Sequence, residues 1–216
     1  MWFAGAVTKK WTHVFWDMGG TMIDTYPGLD RALAGVIRRA GYHVELEDVS
    51  RLTRISTGEA ISQLSQAHGI PDDEFRTAEA ALKQRWRKTP PPVMAHLNDV
   101  MAAVPGLNLV VTHRDRDSAE SLLEALGIKV DDMISTSDGC ARKPDPAMYV
   151  TLVERHGLDP DDCVGVGDRP LDAEAAQAAG MSAVMVKTPG IPLEHQADLQ
   201  VTDLDELIPL LARQDS

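Results

Sequence analysis

The chain has 216 residues, 44% hydrophobic and 25% charged, with a formal net charge of −12. That acidic surplus excludes general binding to nucleic acid or an anionic membrane, which needs a basic surface, and no apolar run approaches the length of a spanning helix. The two cysteines, Cys140 and Cys163, lack CxxC spacing and a histidine cluster, which excludes a disulfide framework or zinc site and points to a reducing, cytoplasmic compartment.

In chain order, the apolar start from Met1 to Val7 lacks a basic flank and a small-residue cleavage site, and reads as a short leader to the first strand. In Val14-Phe15-Trp16-Asp17-Met18-Gly19-Gly20-Thr21 an apolar run ends in a carboxylate followed by two glycines and a threonine. The pattern predicts a buried strand that delivers Asp17 into a tight loop whose backbone N–H groups can approach an anion. It also fits a plain strand and turn in which Asp17 is only a cap.

Leu29, Leu33, Val36 and Ile37 predict a helix within Tyr26–Tyr42, stopped at Gly41. Ser56-Thr57-Gly58-Glu59 has the form of a capping box for a second helix, closed by His68-Gly69 before Pro71. A third runs from Asp72 to Lys88 and ends at the proline run Pro90-Pro91-Pro92, the clearest linker in the chain. Beyond it the rhythm becomes strand and helix in alternation, as in a parallel sheet. Strands are expected at Leu107–Thr112, Met133–Thr136, Cys163–Asp168 and Ser182–Val186, and helices at Asp117–Leu126, Pro146–His156, Leu171–Ala179 and Asp203–Leu211. No strand pattern occurs between Asp24 and Pro92. The expected fold is therefore α/β: a Rossmann-like parallel sheet core from residues 1–23 and 93–216, with an all-helical insertion, residues 24–92, after the first strand.

Three more polar clusters close strands or short connections: Thr112-His113-Arg114, Arg142-Lys143-Pro144, and Gly167-Asp168-Arg169-Pro170-Leu171-Asp172. The carboxyl ends of parallel strands share one edge, so Asp17, Thr112 and Asp168 can converge. Two carboxylates there repel unless a cation lies between them, and Mg²⁺ takes one or two carboxylates together with phosphate oxygens and waters. Lys143 would add a point charge, and Thr112 with nearby N–H groups would hold phosphate oxygens.

With these clusters in place the chain resembles the haloacid dehalogenase superfamily, in its branch with a helical cap. Asp17-Met18-Gly19-Gly20-Thr21 resembles the first motif of that superfamily, Val110-Val111-Thr112 the second, Lys143-Pro144 the third, and Gly167-Asp168 with Asp172 the fourth. The resemblance implies that Asp17 is a nucleophile forming an aspartyl-phosphate and that Mg²⁺ sits among Asp17, Asp168 and the backbone carbonyl of Gly19. It implies that Thr112 binds the transferring phosphoryl group with Gly20 and His113 beside it, that Lys143 neutralises charge, and that Asp172 orders Lys143 or metal waters. Arg114 and Arg169 flank the site and could take a substrate anion, while Arg54 and Thr57 lie where this type of cap faces the site.

One position departs from the resemblance. The common phosphatase form has a second aspartate two residues after the nucleophile, acting as general acid and base, and this chain has Gly19 there. Losing such a group typically costs about 10²–10⁴ in rate, most for poor leaving groups. A water, or Glu59 or Asp72 of the helical insertion, could replace it, or the substrate could carry a good leaving group. A phosphonatase needs a lysine early in the cap, and none occurs between Lys10 and Lys83. Dehalogenation needs no metal, so the retained Asp168 and Asp172 argue against it. The expected function is a Mg²⁺-dependent phosphatase of a small phosphorylated metabolite. The alternative is a catalytically weakened protein that binds a phosphorylated ligand as a regulator, and the sequence leaves oligomeric state open.

Overall fold

In the computed structural model, residues 10–188 and 190–212 are described. The apolar start expected as a leader lies outside them. Val14, Phe15 and Trp16 are wholly buried, and their strand β1 (His13–Trp16) lies inside a six-stranded sheet. The other strands are β2 (Asn108–Val111), β3 (Asp132–Ile134), β4 (Cys163–Gly167), β5 (Ser182–Val186) and β6 (Leu199–Val201). Their order is β3-β2-β1-β4-β5-β6 and every pairing is parallel. The parallel α/β sheet expected from the alternation of runs is therefore present.

The register places the loops. Trp16 lies level with Val110 on β2 and Val166 on β4. The residues that follow, Asp17, Thr112 and Asp168, thus leave three adjacent strands at one edge. The chain turns one way from β1 to β2 and β3, and the other way to β4, β5 and β6. The crevice at such a reversal is where open parallel sheets place ligands.

The helices in chain order are α1 (Tyr26–Arg39), α2 (Leu46–Ile55), α3 (Thr57–His68), α4 (Asp72–Trp86), α5 (Leu97–Ala103), α6 (Arg116–Ala125), α7 (Ala147–His156) and α8 (Pro170–Ala178). Two compact units result. One holds the described residues up to Met22, Met94–Arg116 and those from Lys129 onward; the other holds Ile23–Val93 and Asp117–Ile128. In the sheet unit α7 packs on β2 and β3, and α8 on β4 and β5. Its core joins Phe15, Leu109, Val111 and Ile134 of the strands to Met148, Tyr149 and Leu152 of α7 and Ala176 of α8. In the helical unit α1 packs on α2 and α4, and α3 on α2 and α4. Among the described residues no helix is long and apolar enough to cross a membrane.

The α3 cap forms as expected, with the Ser56 side chain accepting from the Glu59 N–H at 3.0 Å. Several elements depart from expectation. Helix α2 has no counterpart in the sequence reading, because its inward stripe runs through Val49, Thr53 and Arg54, two of them polar. The short α5 and the three-residue β6 bury too few side chains to leave a periodic signature. The closing helix is a 3₁₀ segment, Leu204–Leu210, containing Pro209; proline has no N–H for an α-helical ladder.

Close approach of α8 to β4 depends on a missing side chain. A Cβ on Gly165 would lie 2.5 Å from the Cβ of Ala176. Gly165→Val is therefore expected to lower unfolding stability by about 1–3 kcal/mol, the usual cost of overpacking a core. Urea unfolding checks this, and wild-type stability in the variant would contradict the packing described.

Candidate active site

Asp17 follows directly from β1. Its N–H donates to the Val166 carbonyl at 2.8 Å, which prolongs the strand ladder to the carboxylate. The loop then turns sharply, with Gly20 at φ 94°, a conformation that glycine adopts without Cβ strain. Met22 N–H closes the turn on the Met18 carbonyl at 3.0 Å.

Three ionic side chains meet at this edge, all nearly sealed from solvent: Asp17 is 2% exposed, Asp172 2% and Lys143 4%. The Lys143 Nζ lies 2.6 Å from Asp17 Oδ1 and 2.6 Å from Asp172 Oδ1, and donates to the Val111 carbonyl at 3.0 Å. The other Asp17 oxygen, Oδ2, is buried without a hydrogen-bond partner. Asp172 is also held by the backbone, its Oδ2 accepting from the Arg169 N–H at 3.1 Å. Gly167 makes room for it, since a Cβ there would lie 2.3 Å from the Asp172 Cβ.

Asp168 emerges from β4, and its Oδ1 accepts from the Thr21 hydroxyl at 3.1 Å. Carboxylate oxygens of Asp17, Asp168 and Asp172 lie within 4.8 Å of one another. Thr112 ends β2; its N–H donates to the Ile134 carbonyl at 3.0 Å, and its hydroxyl oxygen accepts from the Arg114 N–H at 3.1 Å. Arg169 reaches in from the start of α8, with Nη2 3.8 Å from Asp17 Oδ1 and Nε 3.9 Å from Asp172 Oδ2.

The charges are unevenly balanced. Burial and then Lys143 act in opposite senses on both acids, yet Asp172 is held below the usual carboxylate range and Asp17 above it. Asp172 has Lys143, Arg169 and a backbone donor, whereas Asp17 shares Lys143 and is repelled by Asp172. Lys143, facing both carboxylates, stays above its ordinary range despite burial. Burial, reinforced by Lys143, Arg169 and Arg142, pushes the His113 imidazole down to about 3. His113 is therefore neutral at physiological pH, and its buried Nε2 has no hydrogen-bond partner.

The structure thus gathers Asp17, Thr112, His113, Lys143, Asp168, Arg169 and Asp172 in the sheet unit, with Gly19 and Gly20 in the loop beside them. Arg114 lies half-buried in the same loop as His113, and its carbonyl accepts from the Thr136 N–H at 3.2 Å. Arg54 and Thr57 belong to the helical unit. Arg54 is buried there, with Nη1 2.9 Å from Asp30 Oδ2 and its guanidinium 3.7 Å above the Tyr26 ring, so its charge is committed within that unit. Thr57 opens α3. Two residues without a role in the sequence reading belong to the site. Thr21 positions Asp168, and its place in the first motif was the available signal. Tyr149 is wholly buried and acts electrostatically on Lys143; its place among the apolar residues of α7 made it indistinguishable from core.

A family model described as haloacid dehalogenase-like hydrolase matches residues 11–180. The chain belongs to that family. A phosphoglycolate phosphatase of Rhodospirillum rubrum is 29% identical over 190 residues, covering 80% of this chain and 78% of its own. A fructose-1-phosphate phosphatase of Escherichia coli is 27% identical over 186 residues, covering 83% of this chain and 98% of its own. Among solved structures, a haloacid dehalogenase-like protein of Agrobacterium tumefaciens has the same fold, with a TM-score of 0.80 at 18% identity over 91% of this chain and 96% of that one. Family and relatives together bear out the expectation of a phosphoric monoester hydrolase.

Removing the ammonium should expose how the cluster is held. Lys143→Met leaves two buried carboxylates facing each other and is expected to cost about 3–5 kcal/mol at neutral pH, as for other broken buried pairs. A loss below about 1 kcal/mol in urea unfolding would contradict the ion pairing described. His113 gives a pH signature. The unfolded imidazole takes up a proton below about 6.5, and the folded one only near 3. The unfolded state therefore binds more protons in that interval, and stability falls as pH drops through it. His113→Gln is expected to flatten this slope relative to wild type, and an unchanged slope would count against a neutral, buried His113.

Proposed function

We propose that the chain is a Mg²⁺-dependent phosphatase of a small phosphorylated metabolite, working through an aspartyl-phosphate on Asp17, with residues 24–92 as a cap that chooses the substrate. One observation carries this reading: Lys143 clamps one Asp17 oxygen and leaves the other buried and unpartnered at the carboxyl edge of the sheet. Most buried polar oxygens have a hydrogen-bond partner, so the open one on Asp17 leaves room for a ligand to supply it.

The same unpartnered oxygen supports a metal. Asp17 and Asp168 offer hard oxygen ligands, and Asp172 is already committed to Lys143 and the Arg169 N–H. Asp17, Asp168 and the Gly19 carbonyl would hold Mg²⁺, a set that suits an ion normally bound by one or two carboxylates with substrate oxygens and waters. Bound there, it would supply the positive charge that lets a phosphate dianion approach a carboxylate.

The protein's own groups account for the rest. An Asp17 oxygen attacks phosphorus, the bond from phosphorus to the leaving oxygen breaks, and that oxygen takes a proton from water. Lys143 and the Thr112 hydroxyl hold the transferring oxygens, and Arg169 adds a second cation beside them. Water then attacks phosphorus, its proton passes to solvent, and the bond to Asp17 breaks to release phosphate and the free carboxylate. A neutral His113 hydrogen-bonds without adding charge. Relatives named for phosphoglycolate, fructose 1-phosphate and hexitol phosphates support a small hydroxylated phosphomonoester as substrate. Cys140 and Cys163 form no disulfide, which supports a cytoplasmic setting. Gly19 alone favours the second reading, a weakened phospho-ligand-binding regulator; the complete Asp17, Lys143, Asp168 and Asp172 set favours the enzyme.

A panel of p-nitrophenyl phosphate, acetyl phosphate and alkyl phosphates, assayed with Mg²⁺ and with chelator, separates the two readings. Turnover is expected with Mg²⁺ only, strongest for good leaving groups and abolished in Asp17→Asn. Gly19→Asp is expected to raise alkyl-phosphate turnover, within the range of about 10²–10⁴ that a positioned acid or base contributes. If no compound on the panel showed Asp17-dependent turnover, the regulator would be the better reading.

A further inference from the structure

A second feature lies wholly within the helical unit. A cavity of about 520 Å³ is lined by Gly28, Arg31 and Arg39 of α1, Arg85 and Trp86 of α4, and Thr89 just beyond, together with Ala32 and Leu82. That volume is within the usual range for small-molecule sites, about 300–1,000 Å³. Its lining contains three arginines and no acid.

Of the ten Lys and Arg in residues 24–92, six have no ion pair among the described residues; Arg31, Arg39 and Arg85 line this cavity, and Arg38, Arg87 and Lys88 do not. Arg51, Arg54, Arg76 and Lys83 each pair with an acid. Arg31, Arg39 and Arg85 form no ion pair among the described residues, although Arg31 acts at longer range on Asp24. Arg39 is exposed to solvent at the end of α1, yet its side chain lies along the helix. It folds back so that Nη1 comes within 3.4 Å of where a Cβ on Gly35 would stand, one turn toward the cavity. The apolar wall is built with similar economy of space: a Cβ on Gly28 would lie 3.2 Å from Cζ2 of Trp86, so glycine there lets the indole sit against α1.

Charge distribution makes the feature specific. Residues 24–92 contain ten Lys and Arg and ten Asp and Glu, so the net charge of −12 resides outside this segment. Within a neutral segment of an acidic protein, three unpaired arginines share one recess. Arginine is the side chain suited to phosphate oxygens, because its planar fork donates two parallel hydrogen bonds and keeps its charge at all accessible pH. Leu82 and the Trp86 indole offer an apolar surface beside that fork. The geometry points to a second ligand site in the helical unit, for an organic phosphate whose phosphate is held by Arg31, Arg39 and Arg85 and whose less polar body rests on Trp86 and Leu82. This inference does not depend on the phosphatase reading, since none of these residues belongs to the catalytic set.

Isothermal titration of the full chain, in chelator and with phosphate release monitored, provides the test with adenosine 5′-monophosphate as probe and inorganic phosphate as its bare counterpart. The nucleotide is expected to bind one-to-one and more tightly than inorganic phosphate. The Arg39→Ala/Arg85→Ala variant is expected to weaken it by about tenfold or more, the effect of losing charged hydrogen bonds. The same variant should keep wild-type circular dichroism, melting temperature and p-nitrophenyl phosphate turnover. Arg51→Ala/Arg76→Ala, which removes arginines already paired with acids, should bind like wild type. Undetectable nucleotide binding, or binding unchanged in Arg39→Ala/Arg85→Ala, would overturn the site. Equal affinity for inorganic phosphate would overturn the role of the apolar wall. Displacement of the nucleotide by a hexaglutamate peptide at lower concentration would overturn the small-molecule assignment in favour of an acidic protein partner.

Discussion

A single ammonium group shared by two buried carboxylates is the constraint on which the sheet edge depends. Taking ions from water into a protein interior costs several kcal/mol each, and mutual attraction offsets this only with close, well-directed contacts. Lys143 lies 2.6 Å from both Asp17 and Asp172 and hydrogen-bonds the first. The sheet topology makes the meeting possible, because β1 lies between β2 and β4 and all three run the same way. Had either neighbour been antiparallel, Thr112 or Asp168 would stand at the opposite edge.

Compensation at this edge is deliberately incomplete in its physical effect, whatever its origin. Asp172 faces Lys143 through Oδ1 and the Arg169 N–H through Oδ2, whereas Asp17 has Lys143 on Oδ1 and no hydrogen-bond or ion-pair partner on Oδ2. Two glycines set the limits of the arrangement from opposite directions. Gly167 is small because Asp172 fills the space its side chain would take. Gly19 is small where the family resemblance implies a proton-transfer group, so in the proposed reaction the leaving oxygen would take its proton from solvent. On the proposed reading the site has its charged groups in place and no side chain at Gly19 to transfer a proton.

The sequence exposed these features unevenly. The strands that hold Asp17, Thr112 and Asp168 were legible because buried parallel strands read as short apolar runs bounded by polar or glycine residues. Lys143 and Asp172 were legible through motif order, which no local periodicity could supply. Helix α2 was hidden because Arg54 and Thr53 face inward and are neutralised by Asp30, a pairing 23 or 24 residues away that no window of sequence contains. Arg169, whose place beside the fourth motif put it at the flank of the site, stands among the carboxylates with 14% of its side chain exposed. Tyr149 was invisible for the converse reason: an aromatic residue on an apolar helix face is ordinarily core, and its hydroxyl matters only through the charges that the fold brings near it.

The central claim is that Asp17 itself becomes phosphorylated. It is tested most directly by acid-quenching the enzyme during turnover of p-nitrophenyl phosphate, reducing with borohydride, and locating the product by peptide mass spectrometry. The account predicts conversion of Asp17 to homoserine, dependent on substrate and absent without it. Turnover that proceeds with Asp17 unmodified at every quench time, while a control phosphoaspartate is trapped under the same conditions, would contradict it.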